Sequence, residues 1–266
     1  MNNKFIKIGF KDFFSTIASY QLVMVLGGQD IRQRYKRSRL GPFWITISMA
    51  VMITTMGVVF ANLFKTDIKE FLPFLTLGLI LWSFIIGAIT EGCDALISSE
   101  GIIKQLPIPL GVHMMRTLWK NFIIFLHNIA IFPIVIILFS IKINISSLLV
   151  IPGIFILIMN LLWIIFLLAI VCARFRDMTQ IILSIMQVVF YLTPVIWMPK
   201  LLSHHVGIKL LQFNPFYHLI ELVRAPLLGQ TPTITTYTYT LLMALIGLLL
   251  SILVIGKLKY KIPYWV

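Results

Sequence analysis

The feature that most constrains this chain is a set of long apolar stretches that contain no Asp or Glu. Each is about as long as the twenty or so residues that a helix needs to cross the hydrocarbon core of a bilayer. Lys120, near one end of its stretch, is the only Lys or Arg within them. We therefore predict six membrane-spanning helices, within residues 43–64, 71–90, 118–140, 147–173, 180–198 and 236–256.

The overall composition also indicates a membrane protein. Hydrophobic residues make up 59% of the 266 residues and charged residues only 12%, whereas a soluble domain has about 25% charged residues. We predict an all-α integral membrane protein that forms a single transmembrane domain over residues 1–266. It would consist of a cytoplasmic or interfacial segment (1–42), a six-span bundle (43–256) and a cytoplasmic tail (257–266). Short helices are expected in the outer leaflet before the last span.

The positive charge of the chain predicts its orientation. A net charge of +13 can indicate nucleic-acid binding, but in membrane proteins Lys and Arg collect in cytoplasmic loops. Sixteen of the 22 Lys and Arg residues fall on the side of the two termini if there are six spans. We therefore expect both termini on the inner side of a cytoplasmic membrane, next to anionic lipid, and no nucleic-acid partner.

Two cytoplasmic features stand out next to the spans. Phe10, Phe13, Phe14 and Ile17 follow helical spacing between charged residues, which predicts an amphipathic helix in the membrane interface. The stretch 91–117 is predicted to be the longest cytoplasmic loop, and a short helix is expected within residues 97–110.

Motifs for catalysis by the chain itself are missing. No Gly-x-x-x-x-Gly-Lys-Ser/Thr phosphate loop occurs, so ATP energy would have to come from a partner. The absence of Asp and Glu from the spans weakens an ion-coupled carrier, which usually needs such groups at membrane depth. Glu91, Asp94 and Glu100 are interpreted as a solvated acidic face and not as a catalytic cluster, and no metal site is predicted. An ATP-independent carrier or a membrane-embedded enzyme stays open as an alternative.

Three segments resemble one known family. They are the basic stretch 30–44, which leads through Leu40, Gly41 and Trp44 into the first span, the turn 172–177, and the outer segment 214–229 with Asn214 and Glu221. Each resembles the corresponding part of the membrane permease of type-2 ABC exporters for polysaccharides. Together they extend over most of the chain in the order of that family.

The resemblance implies an assembly as well as a substrate. It implies a homodimer of permeases joined to two copies of a separate nucleotide-binding ABC ATPase subunit. The substrate would be a lipid-linked glycan such as O-antigen, capsule or teichoic acid. No cofactor is expected on this chain, since ATP and Mg would be bound by the partner. A permease of the same fold that exports a drug or a small lipid is the alternative.

Three groups of residues are candidates for these roles. Apolar anchors on a short helix suit a groove on the ATPase, guanidinium groups suit a diphosphate, and aromatic rings suit the flat faces of sugars. The competing interpretations are a mere connecting loop, charges that only set topology, and aromatic anchors at the interface. The candidates are Ile102, Ile103, Lys104 and Leu106 for ATPase coupling, Arg32, Arg34 and Arg37 for the diphosphate, and Phe60, Trp82, Tyr191 and Trp197 for the glycan.

Overall fold

The protein is built from helices and loops, without strands, throughout the residues that the computed structural model describes: 3–36, 41, 43–141, 144–201 and 211–266. The predicted all-α fold is thus confirmed. Backbone groups in a lipid core have no water to bond, so they pair within a helix. The helices are α1 (Asn3–Ala18), α2 (Tyr20–Tyr35), α3 (Phe43–Leu63), α4 (Ile68–Cys93), α5 (Glu100–Gln105), α6 (Leu110–Ile129), α7 (Ile131–Phe139), α8 (Val150–Arg174), α9 (Met178–Leu192), α10 (Pro215–Leu227) and α11 (Ile234–Leu258).

Five helical segments of the described residues are long and apolar enough to cross a membrane. They are Phe43–Leu63, Ile68–Cys93, Leu110–Phe139, Ile145–Arg174 and Ile234–Leu258, and each contains most of one predicted span.

The remaining predicted span, 180–198, overlaps most of α9 (Met178–Leu192). This helix has 15 residues and rises about 22 Å, less than the hydrocarbon core of about 30 Å. The chain becomes extended at Thr193, just before Pro194. The sixth span therefore stays a prediction.

Capping residues set where two helices begin. The Asp67 carboxylate accepts a hydrogen bond from the backbone N–H of Lys69 at 2.9 Å at the start of α4. The Asn214 side chain accepts from the backbone N–H groups of Phe216 and Tyr217 at 3.0 and 3.2 Å at the start of α10. Such caps satisfy N–H groups that the first turn leaves free. Helix α10 is one of the short helices expected before the last span.

Helix α4 forms the centre of the bundle, and α3 packs loosely beside it. Most of α4 is buried, from Phe71 to Cys93. On α3 only Ile53, Gly57 and Ala61 are buried. The remaining apolar face of α3 is therefore free to contact lipid or another subunit.

The extent predicted for the loop 91–117 is wrong. Helix α4 continues to Cys93 and α6 already begins at Leu110, so the connection covers only residues 94–109. Arg116 and Lys120 interrupt the apolar pattern of α6, but each has a carboxylate partner on a neighbouring helix. The helix therefore extends through a charged region that the apolar pattern alone marks as loop.

Helix α1 crosses α11 and α6 at one end of the bundle, which we call the terminal end. Its buried side carries Asp12 and Thr16, whereas Phe14 and Ile17 are exposed. A Cβ atom at Gly256 would collide with the Phe5 carbonyl oxygen, so the two backbones touch. The predicted amphipathic helix is present: Phe10, Phe14 and Ile17 face away from the protein, as a membrane interface requires, whereas Phe13 packs against the core.

Candidate functional site

A layer of paired charges joins α2, α4 and α6 at the terminal end. Arg116 is bidentate on Asp30, with its Nε 2.6 Å from Oδ2. The Glu91 carboxylate forms ion pairs with the Lys120 ammonium at 2.8 Å and the Arg34 guanidinium at 3.4 Å. We call these five residues the charged layer. Glu91 is half-buried and paired, so its interpretation as part of a solvated acidic face is wrong.

A polar cavity of about 560 Å³ lies against the charged layer. His113 lines it and is buried, and neither of its ring nitrogens has a hydrogen-bond partner among the described residues. Each cation of the layer already faces a carboxylate. The layer is therefore suited to holding three helices together, and less suited to gripping a free anion.

The loop predicted to couple with an ATPase contains a short helix. A 3₁₀ turn (Ile97–Ser99) leads into α5. Ile102 and Ile103 are half-buried, and Ile103 packs against the core of the bundle. Leu106, which follows α5 in extended conformation, is 53% exposed. Of the predicted anchors, Leu106 is thus the one most available to a partner, while Ile103 also serves the fold.

Lys104 lies on the exposed side of α5. Its Nζ is 2.6 Å from the Glu100 carboxylate, one turn earlier. This hydrogen bond and the positive charge lower the pKa of Glu100. The pair stabilises the short helix at the surface, where such contacts are weak.

The predicted diphosphate ligands lie at the end of α2. Arg32 and Arg34 are exposed, and Arg34 also contacts Glu91. Arg37 lies outside the described residues, as does most of the basic stretch that follows it. Two of the three guanidinium groups are therefore placed at the terminal end and are accessible there.

An apolar cavity of about 510 Å³ separates α3 from α9 in front of α4. The Trp82 ring lies on its α4 wall, 5.4 Å from the Phe190 ring of α9. Met49 and Met52 of α3 line the opposite side. The cavity is thus lined by flexible thioether and aromatic side chains, which adapt to varied apolar surfaces.

The other three predicted aromatic residues divide into two groups. Tyr191 is exposed and packs edge-on against Phe190, and Trp197 donates its Nε1–H to the Tyr191 carbonyl at 3.0 Å. Phe60 belongs to a different cluster, stacked at 5.6 Å on Phe64. Phe190, which connects Trp82 with Tyr191, was missed because an aromatic residue within an apolar stretch gives no separate signal.

The end of the bundle opposite the terminal end holds a buried guanidinium group. Arg224 on α10 is 1% exposed and its Nη1 donates to the Pro194 carbonyl at 2.6 Å. Its Nε donates to Glu221 at 2.9 Å, and the group lies 3.8 Å from the centre of the Phe74 ring. The sequence signal for this site is a Glu and an Arg three residues apart in an otherwise apolar segment.

The fold and these sites define a polytopic α-helical membrane protein. Residues 21–228 match the ABC-2 type transporter family, and the chain belongs to that family. It is a membrane transport subunit. The chain is 21% and 22% identical to two proteins from Klebsiella pneumoniae, each named O-antigen export system permease protein RfbA. Each match covers 91% of this chain and 93% of the relative.

Proposed function

We propose that the chain is the membrane-spanning subunit of an ATP-driven exporter for a lipid-linked, O-antigen-like polysaccharide. This proposal rests on the similarity to two O-antigen export permeases, which extends over nearly the full length of this chain and of each relative. The chain acts in the bacterial cytoplasmic membrane with both termini inside. ATP and Mg are bound and hydrolysed by a separate subunit.

A conduit between two copies of the chain fits the exposed surfaces. The apolar faces of α3 and α9 are largely exposed, and the cavity beside Trp82 opens between them. Pairing two such faces in a homodimer would enclose an aromatic-lined passage. Rings such as Trp82 and Tyr191 present flat apolar faces that sugars contact well. If the substrate is instead a drug or a small lipid, adding that compound should stimulate ATP hydrolysis by the complex.

The coupling role is tested by Leu106→Asp in the co-expressed complex with the ABC ATPase. Burying an amide or hydroxyl without a hydrogen-bond partner costs about 2–7 kcal/mol and an unpaired ionised carboxylate more, so the ATPase recovered with the purified chain should fall about tenfold or more, and export should fall with it. Because Leu106 is exposed in this chain, insertion and folding should not change.

Leu106→Met is the matched control, since it keeps an apolar side chain of similar size. It should retain the partner and the transport activity. Normal ATPase recovery together with normal export in the Leu106→Asp variant would contradict the coupling role. Ile103→Asp is less informative, because Ile103 also packs against the core.

The diphosphate role is tested by the triple variant Arg32→Lys, Arg34→Lys and Arg37→Lys. Lys keeps the charge that sets topology but loses the bidentate guanidinium contact. The variant should insert with unchanged orientation, yet its ATPase activity should respond less to the lipid-linked substrate. Full export and full substrate stimulation would instead show that these residues only set topology.

A further inference from the structure

A groove lies at the terminal end where the α5–α6 loop meets the C-terminal segment. Its volume is about 550 Å³. Residues 106–109 form one wall, Tyr260, Pro263 and Tyr264 form the other, and Lys11 of α1 lies at its edge. One wall of the groove therefore contains Leu106 of the proposed coupling segment. The other wall is formed by the C-terminal segment.

The C-terminal wall is held in place by the bundle. Ile262 and Val266 are buried, and the Arg174 guanidinium lies 5.2 Å from the centre of the Trp265 ring. Tyr260 and Tyr264 alternate with these anchored residues and are 69% and 88% exposed. Two aromatic side chains are thus fixed at the surface without a partner in the described part of the chain.

Two contacts of the C-terminal segment fix the position of the groove. Lys259 lies 2.5 Å from Asp12, which accepts a hydrogen bond from the Gly111 N–H at 3.4 Å. The tail thus begins level with Gly111, about 13 Å along α6 from Lys120 of the charged layer. The groove therefore lies where α6 begins and is continuous with the loop that contains Leu106.

The charges around the groove describe what binds there. Lys11 and Lys259 line the groove; Lys259 pairs with Asp12, whereas Lys11 forms no ion pair within the described residues. Lys257 and Lys261 lie next to the C-terminal wall in the sequence, are exposed, and also form no ion pair within those residues. An apolar groove with a basic rim is complementary to an apolar side chain flanked by carboxylates. A protein surface outside the membrane provides this combination.

We infer that the docking site for the ATPase subunit extends over this whole groove, formed jointly by residues 106–109 and the C-terminal segment around Tyr260 and Tyr264. The inference rests on the proposed function, in which an ATPase subunit binds at Leu106. It assigns a partner-binding role to the C-terminal segment, whose aromatic residues complete a groove that the coupling loop alone leaves open.

Cysteine labelling tests the groove in the assembled complex. Single variants Tyr264→Cys, Leu106→Cys and Tyr20→Cys are prepared, since the native Cys93 and Cys172 are buried and react little. Inside-out membrane vesicles with and without the co-expressed ABC ATPase receive an impermeant maleimide. The labelling rate of the Tyr264→Cys variant should fall about tenfold when the ATPase is present, because only grooves without bound ATPase react. Tyr20, also exposed but outside the groove, provides the unprotected control.

The outcomes separate the inference from the proposed function. Protection of the Leu106→Cys variant without protection of the Tyr264→Cys variant overturns the groove inference alone. Protection of neither overturns the proposed coupling as well. Slow labelling of the Tyr264→Cys variant even without the ATPase places the tail against lipid and also overturns the inference. Labelling only in right-side-out vesicles would overturn the proposed orientation.

Discussion

Replacement of Arg224 by Ala is expected to lower the free energy of unfolding by about 3–5 kcal/mol, as loss of one partner of a buried ion pair typically does. The guanidinium group binds Glu221 and the Pro194 carbonyl and covers the Phe74 ring. Its removal leaves the carboxylate and the carbonyl without their donor. The change is measured as the shift of the unfolding transition in detergent micelles.

Lys200→Ala is the control for Arg224→Ala. Lys200 also pairs with a carboxylate at this end of the bundle, Glu70 at 2.5 Å, but both side chains are about half exposed. Exposed pairs contribute about 0–1 kcal/mol, so this variant should unfold almost as the wild type does. Equal stability of the two variants would show that burial of Arg224 adds nothing to its contribution.

Replacement of Gly256 by Ala is expected to displace α1 from the bundle. The added Cβ would overlap the Phe5 carbonyl oxygen, and backbone cannot move aside as a side chain can. Overpacking of this kind costs about 1–3 kcal/mol. Separation of the helices would also stretch the Asp12–Lys259 ion pair. We expect a lower unfolding midpoint in micelles and faster proteolysis within α1.

Gly28→Ala makes the same chemical change in the neighbouring helix α2. No atom lies within 4 Å of a Cβ at Gly28, and Ala is favoured over Gly inside a helix by about 0.5–1 kcal/mol. This variant should therefore be unchanged or slightly more stable. An equal loss of stability in both variants would contradict the close crossing of α1 and α11.

The candidate sites were predictable in part. The short helix near Leu106 and the exposure of Arg32 and Arg34 follow from apolar and basic residues close together in sequence. The inward packing of Ile103 does not, because a six-residue helix shows no clear periodicity. The cavity beside Trp82 depends on α3 and α9 approaching the same face of α4, which neither helix encodes alone.

The Arg224 site illustrates the same limit at the end opposite the terminal end. Its pairing with Glu221 is local and could be expected at a spacing of three residues. Its contacts with Pro194 and Phe74 join distant segments. Burial, which makes this group important for stability, is thus a property of the packed bundle and not of the segment.

The sequence by itself determined that the chain is an all-helical membrane protein and where most of its spans lie. The thickness of the hydrocarbon core sets the length of an apolar stretch, and the lack of water within it requires helical hydrogen bonding. Only the tertiary structure decided where α6 begins and what the C-terminal segment contacts. A charge such as that of Arg116 interrupts the apolar pattern, so the sequence alone places the start of the span after it. The helix begins earlier because Asp30, 86 residues away, pairs with Arg116.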